Sequence, residues 1–148
     1  MIKTVFNILA ICGAAGFAGV MLSIGVTLGG YWRSLPTKEF LDWFAANNQF
    51  VSRSIPLIFM TTFIGLIGSV WLCWGSPDLK YWLLSTACII VVAILTFAFF
   101  VPTNTAFASG TMDEATGAAK LNQWLTLHYF RIGFGMAAAV FGCIAIKA

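Results

Sequence analysis

The sequence predicts an all-α fold, an integral membrane bundle of four transmembrane helices with a short interfacial helix between the first two. Three observations lead there. Only 9% of the 148 residues are charged, 8 basic and 5 acidic, whereas a soluble chain carries about 25%. Hydrophobic residues make up 60%, so a water-facing surface cannot be covered and the signature of a disordered chain is absent. The apolar residues also fall into four charge-poor stretches, each long enough for the roughly 20 residues that cross a bilayer. The length suits a single domain, residues 1–148.

No charge occurs from Thr4 to Trp32, which predicts a first span over about 4–30. Lys3 before an apolar run is also how a signal peptide starts, but this run is too long for one. Ala15 with Gly19, and Gly25 with Gly29, stand four residues apart, a spacing that lets helices approach closely. Pro36 suits the first turn of a short helix over about 36–48. Its Phe40, Leu41, Trp43 and Phe44 give it an apolar side for lying in the interface. The second span is expected over about 54–75, ended by the turn residues Trp74-Gly-Ser-Pro-Asp-Leu-Lys80. The third is expected over about 80–101, because Pro102 disfavours helix at Val101 and leaves carbonyls without a donor. A connection rich in Gly, Ser, Thr and Ala follows, and the fourth span runs over about 121–146 with one charge, Arg131. Trp32, Trp71, Trp74, Trp82 and Trp124 lie near span ends, where an aromatic belt would place them.

Several function classes are excluded. The basic residues are scattered, which offers nothing to a nucleic acid or to a polybasic lipid patch. Cys12, Cys73, Cys88 and Cys143 are isolated, so neither a CxxC redox pair nor a thiolate metal site is available. A single histidine excludes bis-His haem. The spans hold no carboxylate, against a proton-coupled exporter. Orientation is weakly encoded: Lys3, Lys80 and Lys147 lie on one side, Arg33, Lys38, Arg53 and Lys120 on the other. The termini are assigned to the cytoplasm because Lys3 flanks the first span.

The candidate site comes from residues that do not belong in lipid. Trp124, His128 and Arg131 follow i, i+4, i+7 spacing on the fourth span, which puts them on one face. The same face continues through Gly135, Ala138 and Gly142, so it needs room at one end and packs tightly at the other. An arginine within a span almost always faces protein or a wet cavity. Four spans place the end of the third, the start of the fourth and the entry to the second on one side. Arg53, Pro102, Asn104, His128 and Arg131 are therefore expected at one mouth between the third and fourth spans. Polar groups that converge in an apolar pocket mark a default binding site.

Val101-Pro-Thr-Asn104, followed by Trp124-x3-His128-x2-Arg131, resembles the anthrone oxygenase-like family of small four-helix membrane proteins. Leu35-Pro36, the asparagines at 47 and 48, and Pro56-Leu57 fall where the family has similar residues. The Gly-Gly-Tyr-Trp-Arg33 ending of the first span departs from it. The resemblance implies a bacterial cell-membrane protein and, for some members, oxygenation of polyketide anthrones to anthraquinones without any cofactor, metal or flavin. Residue type and position then assign roles: His128 the base, Arg131 the charge stabiliser, Asn104 the orienting hydrogen bond and Trp124 a stacking wall. Arg53 and Pro102 complete the substrate-facing set. The expected partners are membrane lipid and a small lipophilic aromatic or quinone-like ligand, with no nucleic acid; a homo-oligomer is compatible with the pattern. A lipophile-binding or transport module without chemistry, and a structural subunit of a membrane complex, are the alternatives.

Overall fold

The structure, a computed structural model, describes residues 1–147. Five helices make it up: α1 (Ile2–Ser34), α2 (Thr37–Ser52), α3 (Ile55–Leu72), α4 (Leu79–Ala108) and α5 (Glu114–Ala145). All but α2 are long and apolar enough to cross a membrane, and the architecture is the helical membrane bundle that composition predicts. α1 lies against both α3 and α5, and α4 lies against α5, whereas α3 and α4 meet only sparsely. The four spans thus form a ring, α3–α1–α5–α4, with one slack seam.

The end near the termini is closed by small residues. A Cβ on Gly65 of α3 would overlap the Ala10 backbone of α1. On α5, a Cβ at Gly142 would stand 2.8 Å from Ile11 Cγ1, and one at Gly135 would stand 3.1 Å from Phe17 Cδ1. Ser85 Oγ donates to the Ala138 carbonyl at 2.8 Å, and Ser69 Oγ donates to Asn7 Oδ1 at 2.9 Å. Lipid tails are as apolar as leucine, so close packing and interhelical hydrogen bonds of this kind hold such a bundle together.

Aromatic residues fill the opposite end. Trp32, Phe40, Phe44, Phe100, Phe107 and Trp124 are all buried. Their rings meet edge to face, Phe40 with Phe107 at 5.1 Å, Trp32 with Trp124 at 5.4 Å and Phe100 with Trp124 at 5.2 Å. The helix expected at 36–48 is α2, and it runs four residues further. Rather than resting in the interface as an anchor, it lays Phe40, Leu41 and Phe44 into the bundle and caps it.

Four other expectations change. The third span does not end at 101. α4 passes through a wide π turn, Thr96–Phe100, and continues to Ala108. That turn ends two residues before Pro102, and the local re-spacing of the ladder accommodates a residue with no N–H to donate. The fourth span starts seven residues earlier than expected, because Asp113 caps it by accepting the Thr116 N–H at 2.9 Å. That bond holds the exposed Asp113 carboxyl below its usual value. Among the tryptophans, Trp71 and Trp74 are exposed as a belt requires, but Trp32, Trp82 and Trp124 are core residues. Ala15 and Gly19 face outward; Ala10, Ala14 and Ala18 form the packed stripe of α1 instead.

Candidate functional site

Arg131 stands about two turns beyond Trp124 on α5, with only 3% of its surface exposed. Its guanidinium carbon lies 3.5 Å from the centroid of the Phe100 ring, the geometry of a cation–π contact. Nη2 donates to His128 Nδ1 at 2.8 Å, and Nη1 makes a long 3.4 Å contact with Thr96 Oγ1. Nε is buried and has no partner among the described residues. Among the described residues no carboxylate pairs with it, and the ion pair found there joins Lys3 to Asp78. A buried arginine without an anion is an expensive arrangement in a membrane span.

His128 is completely buried, and its partners assign its tautomer. Arginine has donors only, so the bond from Arg131 occupies the lone pair of Nδ1. The proton then sits on Nε2, which donates to the Met21 carbonyl of α1 at 2.7 Å. Both nitrogens of a neutral imidazole are thereby used. Trp124 stacks on the ring at 4.6 Å with an 11° interplanar angle. On the other side a Cβ at position 25 would stand 3.0 Å from His128 Cδ2, so Gly25 is what lets the imidazole reach the α1 backbone. Gly25 lies in a second π turn, Ile24–Leu28. The two π turns of the bundle flank the Arg131–His128 pair, and such turns are frequent at functional sites.

Asn104 Oδ1 accepts the Trp124 Nε1–H at 2.8 Å. Because an indole only donates, this fixes which end of the amide meets Trp124. The NH2 group of Asn104 has no hydrogen-bond partner among the described residues.

Asn104, Trp124 and Arg131 border a cavity of about 410 Å³, within the range of roughly 300–1,000 Å³ typical of small-molecule sites. Its walls come from Phe59, Met60 and Phe63 of α3, Phe97 and Phe100 of α4, and Trp124 and Arg131 of α5, with Asn104 at one end. The cavity therefore occupies the slack seam between α3 and α4, the second and third spans. The third and fourth spans, between which the sequence places the mouth, supply Thr96, Phe97, Phe100, Asn104, Trp124 and Arg131 to its wall, and α3 closes the opposite side. Met60 and Phe97 are both lining and strongly exposed, at 61% and 72%, so the opening faces sideways, where lipid would lie.

Of the sequence-derived candidates, Asn104, Trp124 and Arg131 line the cavity. His128 stands behind Arg131 and touches the cavity only through it. Pro102 and Arg53 are exposed and lie outside its lining, Pro102 on the outer face of α4 and Arg53 at the joint of α2 and α3. Sequence reasoning missed Thr96 and Phe100, although they precede Asn104 at intervals of four and so share its helix face. It had no signal for the Met21 carbonyl, which became an acceptor only when α5 packed on α1.

No curated protein and no solved structure matches the chain. Residues 40–141, more than half of its length and containing α3, α4 and most of α5, match the family described as anthrone oxygenase. Since that segment carries Asn104, Trp124, His128 and Arg131 in the arrangement just described, the chain belongs to the anthrone oxygenase family.

Proposed function

We propose that the protein oxidises an anthrone-type lipophile with molecular oxygen, in a cavity reached from the bilayer. The observation that carries this reading is Arg131, a buried cation without a carboxylate on the wall of an apolar, aromatic-lined cavity. Such a cation favours a ligand whose oxygen bears negative charge. An anthrone becomes one: its CH2 lies between two aromatic rings, and loss of a proton puts the charge on the carbonyl oxygen across the central ring. Binding the enolate to Arg131 drives this ionisation, and the proton goes to water. Asn104 offers a second donor, and Phe100, Trp124 and Phe59 supply apolar walls for the rings.

The enolate carbon then reacts directly with O2. A C–O bond forms, a proton completes the hydroperoxide, and loss of water leaves the second carbonyl of the anthraquinone. The carbon gives up four electrons; one oxygen atom of O2 ends in the quinone and the other in water. The chain is asked only to bind, orient and hold charge.

The test is turnover of anthrone by the protein in lipid nanodiscs, with quinone absorbance and oxygen consumption followed together. One quinone per O2, well above the rate in empty nanodiscs, is expected. Equal rates with and without protein overturn the reading.

A further inference from the structure

We infer that His128 is a positioning residue, which holds the Arg131 guanidinium aimed at the cavity and takes no proton from the substrate. The inference rests on the function proposed above. It starts from the bonds of the imidazole. The lone pair on Nδ1 is filled by Arg131 Nη2 at 2.8 Å, and Nε2–H is committed to Met21 O at 2.7 Å. A general base needs a free lone pair within hydrogen-bond reach of the proton it removes. His128 has none, and its ring is sealed between Trp124 and the α1 backbone at Gly25.

What the arrangement does accomplish is orientation. A guanidinium in an apolar setting can turn on a long flexible stem, and each donor left unaimed weakens its grip on an anion. Here one Nη is tied to α1 through His128, and the plane is seated on Phe100. Nη1 makes only the long contact with Thr96 Oγ1, Nε has no partner among the described residues, and the side chain borders the cavity. The Met21–His128–Arg131 line thus fixes the cation on α5 relative to α1, much as an outer hydrogen-bond partner orients a metal ligand.

Glutamine separates the two roles. Its amide carries an acceptor and a donor at the end of one side chain, so His128→Gln can accept from Arg131 and donate to Met21 O while having no basicity. His128→Met removes both bonds at similar bulk. The probe is anthracene-9-carboxylate, a fused-ring anion that has no CH2 to oxidise, with binding read as thermal stabilisation in detergent and anthrone turnover measured in parallel. Positioning predicts that His128→Gln binds the probe within about threefold of the parent and keeps its kcat, while His128→Met loses about tenfold in affinity. Gly25→Ala, which pushes a methyl against the imidazole, should weaken binding in the same direction and serves if the Met variant does not fold.

Loss of turnover in His128→Gln with probe binding intact overturns the inference and makes His128 the base. Unchanged probe binding in His128→Met, or in Gly25→Ala should the Met variant not fold, overturns it as well. A parent that binds the carboxylate but leaves anthrone untouched refutes the oxygenase reading alone, and positioning is then judged on binding. A parent that binds neither compound refutes both.

Discussion

Arg131 is bonded to a neutral imidazole, seated on an aromatic ring and close to a hydroxyl, and none of these neighbours cancels its charge. An arginine that merely anchored the helix by reaching toward the interface would leave its charged end exposed; this one is 3% exposed. The distinction is measurable. Arg131→Lys keeps the charge but replaces a planar fork by a compact, strongly hydrated ammonium that cannot both meet His128 and face the cavity. Arg131→Gln keeps some hydrogen bonding and loses the charge. Both variants are expected to insert and fold, and both to lose anthrone turnover, by about 100-fold or more for Gln, the scale of removing one oxyanion donor. Turnover by Arg131→Lys at the parent rate would show that charge alone suffices.

At the scale of elements, α5 decides where everything else stands. Its face begins with Trp124, His128 and Arg131 and ends with Gly135, Ala138 and Gly142, and all six are buried. The small residues bring α5 against α1, which is why the Met21 carbonyl lies within reach of His128. Gly135→Leu should force Phe17 and Ala18 away, costing about 1–3 kcal/mol. Gly142→Leu should do the same against Ile11 and Trp82. Thermal unfolding in detergent reads both, and unchanged midpoints would mean that this face does not pack as described. The stripe was legible in the sequence because helical spacing puts i, i+4 and i+7 together whatever surrounds the helix. The length of α4 was not, because a proline rule describes an α-helical ladder and a π turn changes the ladder.

For the whole molecule, the direction of access is the consequence of packing. Trp32, Phe40, Phe44 and Phe107 close the end of the bundle beneath α2, while α3 and α4 leave their seam open. Under the proposed function, a lipophile dissolved in the bilayer would reach Arg131 through that seam without crossing the aromatic cap. Met60 stands on the α3 side of the opening and Phe97 on the α4 side. Met60→Trp is therefore expected to slow turnover of anthrone supplied from vesicles several-fold while leaving the unfolding midpoint unchanged, since Met60 is mostly exposed. Undiminished turnover would place the entry elsewhere.

Composition and hydropathy by themselves determined that the chain is a bundle of four membrane spans, because lipid tolerates only long, internally bonded apolar helices. Helical periodicity determined that Trp124, His128 and Arg131 share a face, and their cost in lipid marked them as inward. Tertiary structure alone decided which seam holds the cavity, that α2 is a cap, and that His128 is tied at both nitrogens while Arg131 faces the open space. Those outcomes depend on which helices approach closely and on which backbone carbonyl a side chain meets across a seam. Both are set by contacts between residues far apart in sequence, Met21 and His128 above all, and a pattern read along one helix does not contain them.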